Sequence, residues 1–191
     1  MLTLQIKNHI KKITSYWYKG SSQICMVYPC QEGVGSITEP SGSFLLRTFR
    51  PGDEYRWIGL LNANGELGEW TRERFDIEIL PYLESANQFF YEDGDRLVAC
   101  AGIYKKNIKN ERVYEIGWVA VEPTYQGQGL GKYIVHATLA KALTLSLCPI
   151  RLFTDEYRLK AIKLYLSLGF EADLTDENTR KSWPKVRLAI G

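Results

Sequence analysis

Histidine and cysteine are scarce in this sequence, two and four residues respectively, and none of them falls at a metal-ligand spacing. Cys25 and Cys30 do not match a zinc knuckle, and His9 and His136 have no partner nearby in sequence, so no metal site is expected. No apolar run approaches the roughly 20 residues that a membrane-spanning helix needs. The amino-terminal stretch carries Lys7, His9, Lys11 and Lys12, where a secretory signal would need an unbroken apolar core. Charge of one sign is missing as well. The 24 Lys and Arg against 22 Asp and Glu leave a formal charge of +2, spread along the chain, whereas phosphate backbones need a dense basic face. No self-similarity recurs at periods of about 20 to 50 residues, which excludes solenoids and propellers. With the cysteines read as reduced thiols, the expectation is a cytoplasmic protein with neither membrane nor nucleic acid as a partner.

The 191 residues, 45% of them hydrophobic, suffice for one domain with its own core and a short appendage. Residues 1–42 read as an amino-terminal extension, a hairpin or lid, with an aromatic patch at Tyr16-Trp17-Tyr18 and a strand from Gln23 to Tyr28. Residues 43–191 read as the main domain. A strand from Phe44 to Phe49 leads to Asp53, an N-cap for a helix carrying Trp57, Ile58, Leu60 and Leu61, and a second helix starts at Thr71. Strands follow at Gln88–Glu92, Arg96–Tyr104 and Arg112–Val121, the first two joined by an Asp93-Gly94-Asp95 turn. Val135, Leu139, Leu143 and Leu147 then mark a helix from Gly129 to Leu147 that ends before Pro149. A strand Ile150–Thr154, a helix Tyr157–Leu168 closed by Gly169, and strands at Phe170 and Val186–Ile190 complete the chain. This is an α+β layout: a mixed, mostly antiparallel sheet flanked by helices, with a crossover helix between two parallel strands.

The segment Glu115 to Lys132 carries the chemistry. A buried strand runs through Pro123 into Gln126-Gly127-Gln128-Gly129-Leu130-Gly131 at the mouth of the long helix. Alternate glycines leave backbone N–H groups unobstructed, and the helix dipole adds positive charge where they converge. The result is an anion cradle. A Walker loop would need Gly at 126 and a hydroxyl residue after Lys132, where Gln126 and Tyr133 stand. A dinucleotide fingerprint would need Gly or Ala at 132 or 134, where Lys132 and Ile134 stand.

The Gln-x-x-Gly-x-Gly loop after a Val-x-Pro strand end resembles the GNAT superfamily of acetyl-CoA-dependent N-acyltransferases. A second signature, Ala161-Ile162-Lys163-Leu164-Tyr165-Leu166-Ser167-Leu168-Gly169-Phe170, is similar to that family's other motif. Together they extend the likeness over residues 44–191. The resemblance implies that Gln126, Gly127, Gln128, Gly129, Leu130, Gly131 and Lys132 meet the pyrophosphate of acetyl-CoA. It also implies that Trp118, Val119, Ala120 and Val121 pair with the pantetheine arm. Arg158 stands where many members have a cofactor-contacting Asn, and with Asp155-Glu156-Tyr157 it is similar to the mycothiol synthase-like branch. The implied activity is acetyl transfer to a primary amine of a small molecule, and a homodimer is admitted.

An alkyl amine is mostly ammonium at neutral pH, so a base must take a proton before attack. Glu115 is the candidate, placed by period-two counting on one face with Gly117 and Val119; the other reading is a glutamate paired with a lysine or arginine across the sheet. Tyr165, protonated at working pH, is the candidate acid for the departing thiolate, against plain core packing. The N–H of Val119 or Ala120 is the candidate oxyanion donor. Lys132 and Arg158 keep ordinary alternatives: a solvated lysine, and a pair with Asp155 or Glu156. Trp57, Trp70, Arg72, Tyr104 and Trp183 are candidates for the acceptor cleft. A noncatalytic acyl-CoA-binding sensor or interaction module would need the glycine loop but neither Glu115 nor Tyr165.

Overall fold

The computed structural model describes residues 23–29, 33–108 and 111–191. The aromatic patch at residues 16–18, His9 and Cys30 lie outside the described residues. Among the described residues there are seven strands: β1 (Gln23–Tyr28), β2 (Leu45–Thr48), β3 (Gln88–Asp93), β4 (Arg96–Ile108), β5 (Glu111–Val121), β6 (Ile150–Asp155) and β7 (Glu171–Ala172). Among the same residues five α-helices accompany them: α1 (Glu54–Asn64), α2 (Arg72–Glu78), α3 (Leu130–Thr144), α4 (Leu159–Ser167) and α5 (Glu177–Ile190). The strands form one sheet in the order β2-β3-β4-β5-β6-β1-β7. Every neighbouring pair is antiparallel except β5 and β6, which α3 connects as a crossover. The mixed α+β architecture is therefore as the sequence reads. No helix among the described residues is long and apolar enough to cross a membrane.

Alternation along the strands sorts apolar side chains into two cores. On one face α1 and α2 bring Trp57, Leu61 and Phe75 onto Phe90, Cys100 and Tyr104. The Trp57 ring meets Phe75 and Phe90 edge-on, each with centroids 5.1 Å away. On the other face Ile134, Val135 and Leu139 of α3 and Ile162 and Tyr165 of α4 pack with Ile24, Met26, Ile116 and Leu152.

Several expectations are corrected. The strand Gln23–Tyr28 is no appended hairpin: β1 pairs with β6 along its whole length and with β7 on its other side. Its Ile24-Cys25-Met26 run is fully buried, so leaving it outside the sheet would expose that run and strip β6 of a partner. The chain from Gly35 to Glu39 reaches α3 instead, where the Tyr133 hydroxyl donates to Glu39 Oε1 at 2.6 Å and His136 Nε2 lies 2.7 Å from the Gly35 carbonyl. Val186–Ile190 is helix, not strand. Asp176 caps α5 by accepting from the Thr179 N–H at 2.8 Å, and Thr179, Ser182 and Val186 fall on one buried stripe at helical spacing. The helix expected to reach Leu147 stops at Thr144, because Ser146 takes a left-handed φ of 55°. Asp53 precedes α1 without capping it; its carboxylate is taken by Arg47 at 2.7 and 2.9 Å, Arg56 at 2.5 Å and the Arg50 N–H at 2.7 Å. Cys148 is disulfide-bonded, so the reading of all four cysteines as free thiols does not stand.

Candidate functional site

The parallel ladder between β5 and β6 has two rungs, Tyr114–Ile150 and Glu115–Arg151, after which the strands part. The sheet is thus forked from residue 116 onward. A bulge on the β4 side of β5 accompanies the fork: the register passes from Gly102–Gly117 to Cys100–Ala120, two steps on β4 against three on β5. Trp118 absorbs the extra residue with φ at 50°, an outlier for so bulky a side chain. Its conformation is over-determined by neighbours. The Cys100 thiol donates to the Trp118 carbonyl at 3.0 Å. Burial pushes that thiol up to about 12, which keeps it a neutral donor. Trp70 meets the Trp118 ring edge-on at 4.6 Å and is itself held by Asn62 through bonds of 2.7 and 2.9 Å. Because of the bulge, Trp118 packs on the α1–α2 face and Val119 on the α3 face. The expectation that Glu115 and Val119 share a face is therefore corrected.

At the far end of the fork, Gly127 and Gly129 have φ of 80° and 84°, and a Cβ at either would meet nothing within 4 Å. Glycine is required there for conformation, and the space over both residues is open. Gly129 is the residue before α3 and no side chain caps the helix, so its first N–H groups point into that space. Gly131 is different: a Cβ would lie 3.4 Å from Val121 and 3.6 Å from Leu164, so it lets α3 pack close to β5 and α4. Leu130 is buried, whereas Gln126, Gly127, Gln128 and Gly129 are exposed. Gln126 and Gln128 brace the loop through the Val121 and Thr124 carbonyls, at 3.3 and 3.4 Å. Lys132 is half-buried in the first turn of α3. Open amide donors at a dipole terminus beside a forked sheet suit an anionic head with an extended arm.

Glu115 stands on the last rung before the fork, facing Tyr104 across β4 and β5. Lys106 Nζ lies 2.6 Å from its Oε2, with side-chain exposures of 42% for the lysine and 12% for the glutamate. The cross-sheet pair of the alternative reading therefore exists. Tyr104 donates to Gln88 Oε1 at 2.6 Å, and Gln88 Nε2 donates to the Ala101 carbonyl at 3.0 Å, all within the core. Tyr165 is on the opposite face of the sheet from Glu115, against Phe170, and burial, opposed by the Arg158 charge, pushes its phenol up to about 12. Arg158 lies 3.0 Å from Asp155 and bonds the Glu66 carbonyl, the pairing foreseen as its alternative. Of the proposed acceptor-cleft residues, Trp57, Trp70 and Tyr104 are buried in the α1–α2 core. Arg72 is on the surface with Asp76, and Trp183 packs on the other core, so the five do not form one wall. Nothing in the sequence context of Cys100 signals that it holds the bulge.

The profile of the Acetyltransferase (GNAT) family matches residues 53–170. A mycothiol acetyltransferase of Thermomonospora curvata is 33% identical over 152 residues, covering 74% of this chain and 49% of the relative. A histone acetyltransferase TAP1 of Glycine max is 35% identical over 147 residues, covering 71% of this chain and 61% of the relative. The chain spans about half the length of the mycothiol acetyltransferases it matches. A GCN5-related N-acetyltransferase from Sphaerobacter thermophilus superposes with a TM-score of 0.68 at 17% identity, over 87% of this chain and 53% of that one, which supports the fold.

Proposed function

The chain belongs to the acetyltransferase (GNAT) family, and from that premise we propose that it moves an acetyl group from acetyl-CoA to a primary amine of a small molecule. The observation that supports this most is the coincidence of three features along one line: the two-rung ladder ending at Glu115, the bulge at Trp118, and the open glycines before α3. The amides at Gly127 to Gly131 would hold the pyrophosphate, with Lys132 beside them. The backbone of Trp118 to Val121, freed from β6, would line the pantetheine arm. Acetyl-CoA supplies an activated thioester.

Glu115 takes the proton from the acceptor ammonium, and the freed amine nitrogen bonds to the thioester carbonyl carbon. The backbone N–H of Val119 or Ala120, beside the bulge, would serve as the amide donor for the oxyanion. As the C–S bond breaks, Tyr165 gives its proton to the sulfur and the attacking nitrogen sheds its second proton, which restores the phenol by way of solvent; the products are an acetamide and the free thiol, with one proton left on Glu115. Lys106 is no obstacle: a partly exposed ion pair is worth only about 0–1 kcal/mol, so the acceptor ammonium can take its place.

The Lys106–Glu115 pair is also the one observation in favour of the noncatalytic module, in which Glu115 is structural. Thiol release from acetyl-CoA over a library of small amines, with wild type and Glu115→Gln, separates the two. The transferase reading expects turnover in the wild type, a loss of about 100-fold or more in the variant, and a flattened pH profile. Matching profiles would place the base elsewhere, and no thiol release with any amine would favour the module.

A further inference from the structure

On β6, Ile150, Leu152 and Thr154 are buried, while Arg151, Phe153 and Asp155 take the opposite face, the one on which Glu115 lies. Arg151 is the direct neighbour of Glu115 on the last rung before the fork. Its guanidinium is under-used. The nearest carboxylate, Asp173 Oδ2, is 3.8 Å from Nη2, and the other Asp173 oxygen is occupied by the Thr175 N–H and hydroxyl at 3.0 and 2.5 Å. The Arg151 Nε–H is buried with no hydrogen-bond partner among the described residues. Arg47 offers a contrast, since its Nε, Nη1 and Nη2 all donate to carboxylates at 2.7–2.9 Å. A buried N–H without an acceptor is costly, and it sits one strand from the residue that would meet the acceptor amine. Phe153, next along the same face, is 38% exposed at a level where β5 has already parted from β6.

We propose that the acceptor is an amine bearing a carboxylate a few bonds away, of the α-amino-acid type, and that Arg151 binds that carboxylate while Glu115 receives the ammonium. This rests on the transferase reading above. Adjacent strands lie about 4.8 Å apart, so Glu115 and Arg151 rise from neighbouring backbones on one face, Glu115 turned to Lys106 on β4 and Arg151 toward Asp173, and a zwitterion placed between them would meet opposite charges. The guanidinium fork matches a planar carboxylate with two parallel donors. Charge balance points the same way. Glu115 and Asp173 are offset by Lys106 and Arg151, so a zwitterion whose ammonium takes the place of Lys106 on Glu115 adds no net charge to the group, whereas a polyamine or a phosphate dianion would. Phe153 gives the acceptor's apolar side chain a surface.

The test is thiol release from acetyl-CoA with matched acceptors, phenylalanine with phenethylamine and leucine with isoamylamine, on wild type, Arg151→Met and Arg151→Lys. Acetyl-CoA affinity, read by calorimetry, serves as the control for folding. The wild type should prefer the carboxylated member of each pair by roughly 10- to 100-fold in kcat/KM, mainly through KM. That ratio should collapse toward unity in Arg151→Met and fall between in Arg151→Lys, which keeps the charge and loses the fork. Equal use of both members by the wild type, or a ratio unaltered by Arg151→Met, overturns this inference and leaves the transferase reading standing. Acetyl-CoA binding with no amine acetylated overturns both.

Discussion

Replacing Gly102 by alanine drives a methyl group into the polar contact that supports the face carrying Glu115. A Cβ at Gly102 would lie 2.0 Å from Gln88 Oε1, 2.9 Å from Gln88 Cδ and 3.1 Å from the Tyr104 hydroxyl. Gln88 is 1% exposed, so its amide has no room to swing outward and must give up its bonds to Tyr104 and Ala101, now 2.6 and 3.0 Å. Burial raises the Tyr104 phenol well above its ordinary value, so it cannot ionise to escape the loss of its acceptor. Leaving a buried polar group unpaired costs about 1–3 kcal/mol, and two such groups together about 2–6 kcal/mol. The reduced freedom of the unfolded chain returns only about 0.4–1 kcal/mol. A net loss of about 1–5 kcal/mol lowers the melting temperature by roughly 2–20 °C for a chain of this size. Urea unfolding of Gly102→Ala, Gln88→Ala and the double variant measures it. In the double variant the clash is gone, so the two effects should be strongly non-additive, with a coupling of at least about 1 kcal/mol. Additive effects, or a Gly102→Ala protein within about 0.5 kcal/mol of wild type, would refute the steric account.

Gly129→Glu places a side chain and a like charge into the open cradle and should weaken acetyl-CoA binding about 100-fold or more by calorimetry. Gly94→Glu, at a hairpin tip that also has positive φ and open space, controls for backbone strain, and equal affinities for both variants would remove the cradle. Tyr165→Phe should lower kcat by about 10²- to 10⁴-fold with acetyl-CoA affinity kept, and an unchanged kcat would reduce Tyr165 to packing. Asp53→Asn should cost about 1–3 kcal/mol at neutral pH, since it removes one of the two carboxylates that pair with buried Arg47 and leaves it Glu92. Burial alone would raise the Asp53 carboxyl, but Arg47, the Arg50 N–H and Arg56 outweigh it and hold it low. A depressed carboxyl contributes its stability above about pH 4 and loses it as pH falls through the folded value. The gap between wild type and variant should therefore close in acid, and parallel stability curves would show that another group carries the dependence.

Much of the fold was legible because its determinants are local. Period-two apolar runs separated by Asp93-Gly94-Asp95 define β3 and β4 whatever else the chain does, and Trp57, Ile58, Leu60 and Leu61 line one side of α1 in sequence and in space. The failures are non-local or contested. The residues of β1 predict a strand but not its place, since β6 and β7, which it pairs with, come more than a hundred residues later. Val186 to Ile190 is apolar enough for a strand, and Pro184 inside α5 hides the helical period that the Asp176 cap starts.

The site divides along the same line. Gly127 and Gly129 announce themselves because no other residue takes their φ comfortably, so a conformational demand is written directly into residue type. Trp118 makes an equally unusual demand with a residue that does not advertise it. Its left-handed backbone is imposed from outside, by a thiol on β4 and an indole held by α1, and those contacts exist only once the sheet and helices have assembled. Period-two counting through the bulge consequently assigns Val119 to the wrong face, although it places Glu115 and Gly117 together as found. Arg151 was invisible for a related reason. An arginine on a half-exposed strand is ordinary in sequence, and it becomes a candidate ligand only where the fold withholds a partner from its Nε–H and sets it beside Glu115. Groups that must bend the backbone by their own chemistry can be read from the chain, while groups that the rest of the fold bends or leaves unpaired can be read only from the assembled structure.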